Sequence, residues 1–384
     1  MKPKTMLFIG MYPNVVNPYR NVFFQNLIFA IADKGIECVV VSPVPITKYF
    51  TKTFKIPKVT HDLTPGGNTV EVHYPRYISV SSKKFGKFNT EVLSEYLFER
   101  AALKEIQKIN RKFNCVYGHF FLYGGLAAVK AGRRLNIPSF IAFGECDYET
   151  QVQQTFGNLQ KKHIEGLRGI IAVSSKNAMV LKELGIFNNI KVVIAPNAVD
   201  LTLFHKKDKE KCRTKLGLSN DQFIVGFVGG FIERKGDKRL LEAVNQTNDI
   251  YVAFAGRGEN PPKGKRVLFC QALLHDDVPD FLNALDVFCL PTLSEGSCNA
   301  IVEAAACGIP IISSDLPFNN DFLNKNNSIR IDPLSIDEIK NSLESIKKDK
   351  NYRKRLAQNV YKDAQCFSID KRAEKIITFI DELI

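Results

Sequence analysis

Glu295 and Glu303 stand in Pro291-Thr-Leu-Ser-Glu-Gly-Ser-Cys-Asn-Ala-Ile-Val-Glu303-Ala-Ala-Ala-Cys-Gly-Ile-Pro310. Carboxylates at this spacing could accept hydrogen bonds from hydroxyls at two ends of one ligand. The preceding Asp286-Val-Phe-Cys-Leu290 reads as a buried strand of a parallel sheet. After Gly296 a helix is predicted, stopping at Gly308, with a new strand at once. Glu295 then lies in the strand-to-helix turn, and Glu303 about two turns inside the helix. Between them the amides of Ser297 to Ala300 are orphan donors at a helix N-terminus, a ready phosphate site. The competing reading is a dipole-complementing Glu295 and a solvated Glu303. Apolar neighbours Ile301, Val302, Ala304 and Ala305 weigh against it. A diphosphate flanked by carboxylates suits a sugar nucleotide.

Other reactive residues fall after predicted strands. Arg234 and Lys235 sit within Val228-Gly-Gly-Phe-Ile-Glu-Arg-Lys-Gly236, a loop rich in glycine (Gly229, Gly230). Fixed cations there would stabilise negative charge growing on a departing diphosphate. A surface pair of cations is the plainer alternative. His119 ends Asn114-Cys-Val-Tyr-Gly and precedes Gly124-Gly125. Gly144-Glu-Cys-Asp147 follows another strand, and either Glu145 or Asp147 could be its functional carboxylate. Gly256-Arg-Gly258 lacks a third glycine and reads as a tight turn, since a lone Gly-x-Gly is weak evidence. No cluster has metal-ligand spacing, as His275-Asp-Asp277 lacks a second half. No metal and no cofactor is expected.

These residues need a frame. Strands are predicted at Thr5–Gly10, Ile36–Ser42, Asn68–Tyr74, Asn114–Tyr117, Ser139–Phe143, Gly169–Val173 and Lys191–Ala195. Helices alternate with them at Asn21–Asp33, Glu91–Lys112, Gly124–Leu135 and Ser175–Leu184. A polar stretch, His205–Lys215, reads as a linker. Strands resume at Phe223–Val228, Ile250–Ala255, Arg266–Phe269, Asp286–Leu290 and Ile309–Ser313. Apolar strands alternating with helices imply parallel sheets covered on both faces. The expectation is an α/β chain of two Rossmann-like, doubly wound domains facing across a cleft. Residues 1–200 form the first and 201–367 the second. A final helix, 368–384, is assigned to the first.

The chain has 384 residues, 45% hydrophobic, which suits two soluble domains. No apolar run approaches the roughly 20 residues of a membrane span. Met6-Leu-Phe-Ile-Gly10 is too short for a signal h-region. The nine cysteines are scattered, as in a reduced protein, and a cytoplasmic location is expected. The net charge of +13 asks for an anionic partner. No nucleic-acid motif is present. Lys48-Tyr-Phe-Thr-Lys-Thr-Phe-Lys-Ile-Pro-Lys58 and Ser82-Lys-Lys-Phe-Gly-Lys-Phe88 interleave cations with aromatics, as interfacial segments do. Ordinary solvated loops are the alternative. The expectation is a peripheral protein on the anionic inner face of the cell membrane.

The Glu295-to-Glu303 stretch resembles the Glu-x7-Glu motif of retaining glycosyltransferases of family 4, which have the GT-B fold. Residues 228–236 resemble that family's diphosphate loop, and Ala195-Pro-Asn-Ala-Val-Asp200 its Pro-Asn-Gly-Val-Asp signature. Tyr117-Gly-His119 with Gly124-Gly125 resembles its strand-end histidine, and Val267–Leu274, with Gln271, its base-reading segment. Many members carry arginine where this chain has Gly230, and Arg234 is the neighbouring replacement.

The resemblance implies a metal-independent enzyme moving a sugar from a nucleoside diphosphate, most often UDP, to a glycan or polyprenyl-linked acceptor for cell-surface polysaccharide. It implies that Glu303 holds ribose, and that Glu295 with Gly296, Ser297, Cys298 and Asn299 holds the sugar. Arg234 and Lys235 would hold the diphosphate, and His119 would touch the donor sugar. Gly10, Arg20, Glu145 and Asp147 would form the acceptor side. No nucleophile stands out on that side, which favours same-face attack over a covalent intermediate. The alternatives are a GT-B-type sugar-nucleotide epimerase, separable by turnover without acceptor, and a non-catalytic nucleotide-sugar-binding subunit.

Overall fold

The computed structural model of the protein describes residues 3–47, 50–80, 84–85, 88–148 and 161–384. The chain divides into two units, Met1–Pro196 with Asp370–Ile384, and Asn197–Ile369. Each is built on a sheet whose central strands are largely apolar and buried. Thr5–Ile9, Cys115–His119 and Ser139–Phe143 are buried at every position, as parallel strands covered on both faces must be.

In the first unit the sheet runs, edge to edge, Lys191–Ile194, Leu167–Ala172, Ser139–Phe143, Cys115–His119, Thr5–Ile9, Glu37–Val41, Thr69–His73 and Val59–Leu63. All neighbours are parallel except the last pair. That antiparallel edge strand, Val-Thr-His-Asp-Leu, escaped the sequence reading because it alternates exposed and half-buried positions and carries no apolar run. The Glu91–Ile106 helix stops six residues earlier than predicted. Beyond it Arg111 turns back to pair with Glu37 at 3.0 Å and Glu71 at 3.1 Å. The Ile369–Asp381 helix belongs to this unit from Asp370 onward. Its Phe379 ring packs edge-on against Phe140, 6.2 Å between centroids.

In the second unit the order is Val267–Gln271, Ile250–Ala255, Phe223–Val228, Val287–Leu290, Ile311–Ser314 and Ser328–Ile331, all parallel. The segment read as a linker is largely a helix, Lys209–Leu216, started by Asp208 and ended at Gly217. Its anchor is polar. Arg213 is buried and donates to the carbonyls of Ala284, Ser219, Asn220 and Gln222, and to Asp286 at 2.8 Å. With Cys212 and Leu216 as its only residues against the core and the rest of its anchoring polar, the helix shows no long apolar stripe to read.

Both sheets reverse their strand order beside the first strand of the unit. The switch lies between Thr5–Ile9 and Cys115–His119 in one, and between Phe223–Val228 and Val287–Leu290 in the other. Loops leaving the C-terminal ends of strands at such a point form the natural ligand crevice of an open parallel sheet. Among the described residues, no helix is long and apolar enough to cross a membrane.

Candidate active site

In the second unit the two loops at the switch point are 229–236 and 291–298. They are stitched together by backbone and side chain. Leu293 N donates to Arg234 O at 2.8 Å, and Thr292 Oγ1 to the same carbonyl at 3.2 Å. Arg239, buried on the Asp237–Asn245 helix, donates to Pro291 O at 2.9 Å, Pro333 O at 2.8 Å and Glu233 O at 3.0 Å. Gly236 sits at φ 81°, and a Cβ there would meet Pro291 O at 2.4 Å. Only glycine fits that turn. Gly256-Arg-Gly258 is not a tight turn. It runs extended beside the glycine loop, with Gly229 N on Ala255 O and Phe231 N on Arg257 O. A Cβ on Gly256 would stand 1.9 Å from Gly229 O, so close packing explains the glycine.

These contacts bring Arg234, Lys235 and Glu295 together. Glu295 is 6% exposed, and its Oε1 lies 2.5 Å from Lys235 Nζ, 3.1 Å from Arg234 Nη1 and 2.8 Å from Thr292 Oγ1. Arg234 also donates to Ser294 O. Burial works against the charge on Lys235, but the Glu295 carboxylate at 2.5 Å favours it, and its pKa stays above the usual lysine value. The sequence reading gave the cations and the carboxylate separate partners. In the structure they are partners of one another.

The helix after Glu295 is Asn299–Ala306, with Cys298 as its cap residue. Its start is later than predicted, so Glu303 lies about one turn inside rather than two. Burial pushes the Glu303 carboxyl up to about 7. Burial also raises the Cys298 thiol to about 12, so it is no thiolate at neutral pH. Gly296 is buried, and Asn299 Oδ1 is buried with no hydrogen-bond partner among the described residues. Ser297 is fixed from Asn197, whose backbone N meets Ser297 Oγ at 3.1 Å and whose Nδ2 meets Ser297 O at 3.0 Å. Asn197 belongs to the Ala195–Asp200 signature, which suggested no role for it in the sequence, and this clamp supplies one. Gln271 ends its strand exposed, with its carbonyl accepting from Gly256 N at 2.9 Å. Gly230 has open space, the nearest atom to an added Cβ being Arg257 O at 3.8 Å.

In the first unit the switch point gathers Gly10, His119 and Glu145. A Cβ on Gly10 would stand 3.0 Å from His119 Cβ. His119 is 4% exposed, stacked on Phe24 with ring centroids 4.2 Å apart and flanked by Phe120 at 4.6 Å. Neither ring nitrogen has a partner among the described residues. Burial, with the charge of Arg372, lowers its pKa to about 3, so the imidazole is neutral. Glu145 is buried and Asp147 exposed. Glu145 accepts from Phe121 N and, at 3.0 Å, from Gly144 N, while burial pushes its carboxyl up to about 7. Arg20 donates to Met11 Sδ within the loop after the first strand.

The segment between His119 and the Leu126–Leu135 helix is strained, with Phe120 at φ 64° and Tyr123 at φ 59°. Left-handed backbone is unfavourable for such side chains unless the surroundings hold it. Glu145 holds one end at Phe121. Glu95 holds the other, accepting from Tyr123 N at 2.6 Å. Sequence reasoning missed Glu95. Its signal was a glutamate on the buried face of the Glu91–Ile106 helix, beside Phe98 and Ala102.

Residues 208–363 match the family described as Glycosyl transferases group 1. The chain is 24% identical over 390 residues to TuaC of Bacillus subtilis (strain 168), a protein named as a putative teichuronic acid biosynthesis glycosyltransferase, with 97% of each chain covered. It is 33% identical over 221 residues to UDP-Gal:alpha-D-GlcNAc-diphosphoundecaprenol alpha-1,3-galactosyltransferase of Escherichia coli, covering 51% of this chain and 55% of the relative. Sucrose-phosphate synthase of Thermosynechococcus elongatus superposes with a TM-score of 0.79 at 17% identity, covering 99% of both chains. The fold is GT-B. The family match and the relatives support glycosyltransferase activity.

Proposed function

We propose that this chain is a retaining, metal-independent glycosyltransferase of the family 4 type, transferring a sugar from a UDP-linked donor to a glycan or polyprenyl-linked acceptor in cell-surface polysaccharide synthesis. The observation that carries the reading is the convergence of Arg234, Lys235 and Glu295 at a sheet switch point, beside the head of the Asn299–Ala306 helix. The two cations take the leaving diphosphate. Glu295 and the loop from Gly296 to Asn299 hold the sugar, and Glu303 the ribose. His119, as a neutral imidazole, offers a hydrogen bond to a sugar hydroxyl without adding charge. The bond from the anomeric carbon to the phosphate oxygen breaks, and a bond to the acceptor oxygen forms on the same face. The acceptor's proton passes to the departing phosphate. Fixed cations beside that phosphate lower the barrier because its charge grows in the transition state. The Escherichia coli relative, whose name specifies UDP-Gal and a diphosphoundecaprenol acceptor, supports the donor and acceptor classes.

The acceptor side consists of Gly10, Arg20 and Asp147. Glu145 serves it indirectly, by fixing the backbone after His119. Association with the anionic inner membrane face is part of the proposal, supported by the +13 charge and by Lys52, Lys55, Lys58 and a Phe54 that is 66% exposed. The side chains of Lys48, Tyr49, Phe50 and 82–88 lie outside the described residues.

The test is a thermal-shift screen over UDP-, GDP-, ADP- and CMP-sugars, followed by product analysis with and without a membrane extract as acceptor source. A ligand that binds only the native state raises the melting point. UDP-sugars should do so, and transfer should require acceptor. Turnover without acceptor indicates the epimerase, and binding without any turnover indicates the non-catalytic subunit.

A further inference from the structure

At the opposite end of the second unit's sheet lies a second hollow, of about 440 Å³, that the proposed transfer does not use. It opens where Leu285 and Asp286 enter one strand and Ile309 and Pro310 enter the next. Six cations line it, Lys206, Lys207, Lys209, Lys350, Arg353 and Lys354, against one carboxylate, Asp286. That carboxylate is already shared by Lys209 and Arg213. Lys207 is paired outside the hollow with Asp280 at 2.7 Å. The remaining lysines, Lys206, Lys350 and Lys354, make no ion pair among the described residues.

Lys206 is held in place without an acid. Its side chain crosses Gly308, where a Cβ would meet Lys206 Cε at 2.3 Å, and its ammonium sits 3.8 Å from the centre of the Tyr361 ring. The aromatic face holds the ammonium at the wall of the hollow without neutralising its charge. Arg353 has Nη1 committed to the carbonyls of Ile346 at 2.9 Å and Lys347 at 3.1 Å, which leaves it poorly placed to grip a carboxylate with both arms. The free donors are therefore ammonium groups, compact point charges that suit the several oxygens of a phosphate.

We infer that this hollow is a second anion site, distinct from the loops at 229–236 and 291–298, and that its ligand carries a phosphate or diphosphate group. Two sources offer that chemistry: a soluble phosphate compound or the headgroup of an anionic phospholipid. The site is independent of the proposed sugar transfer and stands whether or not that reading holds.

The test uses the full chain, as wild type, as Lys206→Gln/Lys350→Gln/Lys354→Gln, and as Lys235→Ala. Inorganic pyrophosphate is titrated by calorimetry at low salt, and flotation is measured with phosphatidylglycerol and with phosphatidylcholine vesicles. If the source is soluble, the triple variant should bind pyrophosphate about tenfold more weakly or worse, the order expected for lost charge-assisted contacts. If it is lipid, the triple variant should float with phosphatidylglycerol less than the wild type does, while neither form floats with phosphatidylcholine. Salt should weaken either interaction. Lys354→Glu alone, on an exposed helix position, gives the same readout should the triple variant melt early. Pyrophosphate binding lost in Lys235→Ala but unchanged in the triple variant assigns the anion to the glycine loop and overturns the inference. So does a wild type that binds neither probe, or a triple variant that binds both unchanged; the lysines are then a solvated face.

Discussion

At the switch point of the first unit, Glu145 gives its carboxylate to backbone amides and His119 is packed neutral among phenyl rings. At the corresponding point of the second unit, Glu295 faces two cations and the Thr292 hydroxyl. The same sheet topology thus supports two electrostatic designs. One consumes charge to hold a strained backbone. The other keeps charge on side chains, with one carboxylate set against two cations. The contrast teaches that a carboxylate at a strand end is not by itself a ligand contact; its partners decide.

The contrast can be broken most severely at Lys235. Lys235→Ala should lower kcat by about 10²–10³, the range for removing one preorganised charge stabiliser, with a smaller change in KM. A change in KM alone would make Lys235 a ground-state anchor and remove the main electrophile. Next in size is Glu145→Gln, which leaves one backbone amide facing an amide NH₂. It should cost about 1–3 kcal/mol of stability in urea melts while UDP affinity in calorimetry stays the same. Loss of UDP affinity with normal stability would put Glu145 in the binding machinery and erase the contrast. Glu303→Ala should weaken UDP-sugar binding by about 1–3 kcal/mol, and unchanged affinity would remove it from the site.

A smaller effect sharpens the comparison through pH. Glu145 and Glu303 each have a folded pKa raised from 4.5 to about 7 by burial. Between those values the folded chain binds more protons than the unfolded one, so each group makes stability fall as pH rises through that window. Glu303→Gln should flatten the slope of stability against pH between about 4.5 and 7. A slope that is unchanged, measured by urea melts across that range, would mean that Glu303 titrates as a solvated carboxylate.

Legibility in the sequence followed the same division. In the second unit one contiguous motif carries strand, turn, carboxylate and helix, and Phe223–Val228 and Ile250–Ala255 stand where apolar runs placed them. What stayed hidden were contacts between segments far apart in sequence. The Arg234 and Lys235 pairing with Glu295, the Arg239 cross-brace and the Asn197 clamp on Ser297 all depend on folding. In the first unit the site is gathered from several strand ends, so little of it could be read. The choice between Glu145 and Asp147 needed burial and partners, which no local pattern encodes. Elements held by polar anchors, such as Lys209–Leu216, were read as loops for the same reason.

The packing of His119 also makes it a reporter. Its imidazole lies over the Phe24 ring at 4.2 Å and beside Phe120 and Phe23. Aromatic ring currents at that range displace the carbon-bound proton resonances of a histidine from their ordinary positions. With a pKa near 3, that signal should hold still through neutral pH. A single magnetic-resonance line therefore watches the interior end of the Cys115–His119 strand. Any ligand that draws a hydrogen bond from His119 must move it.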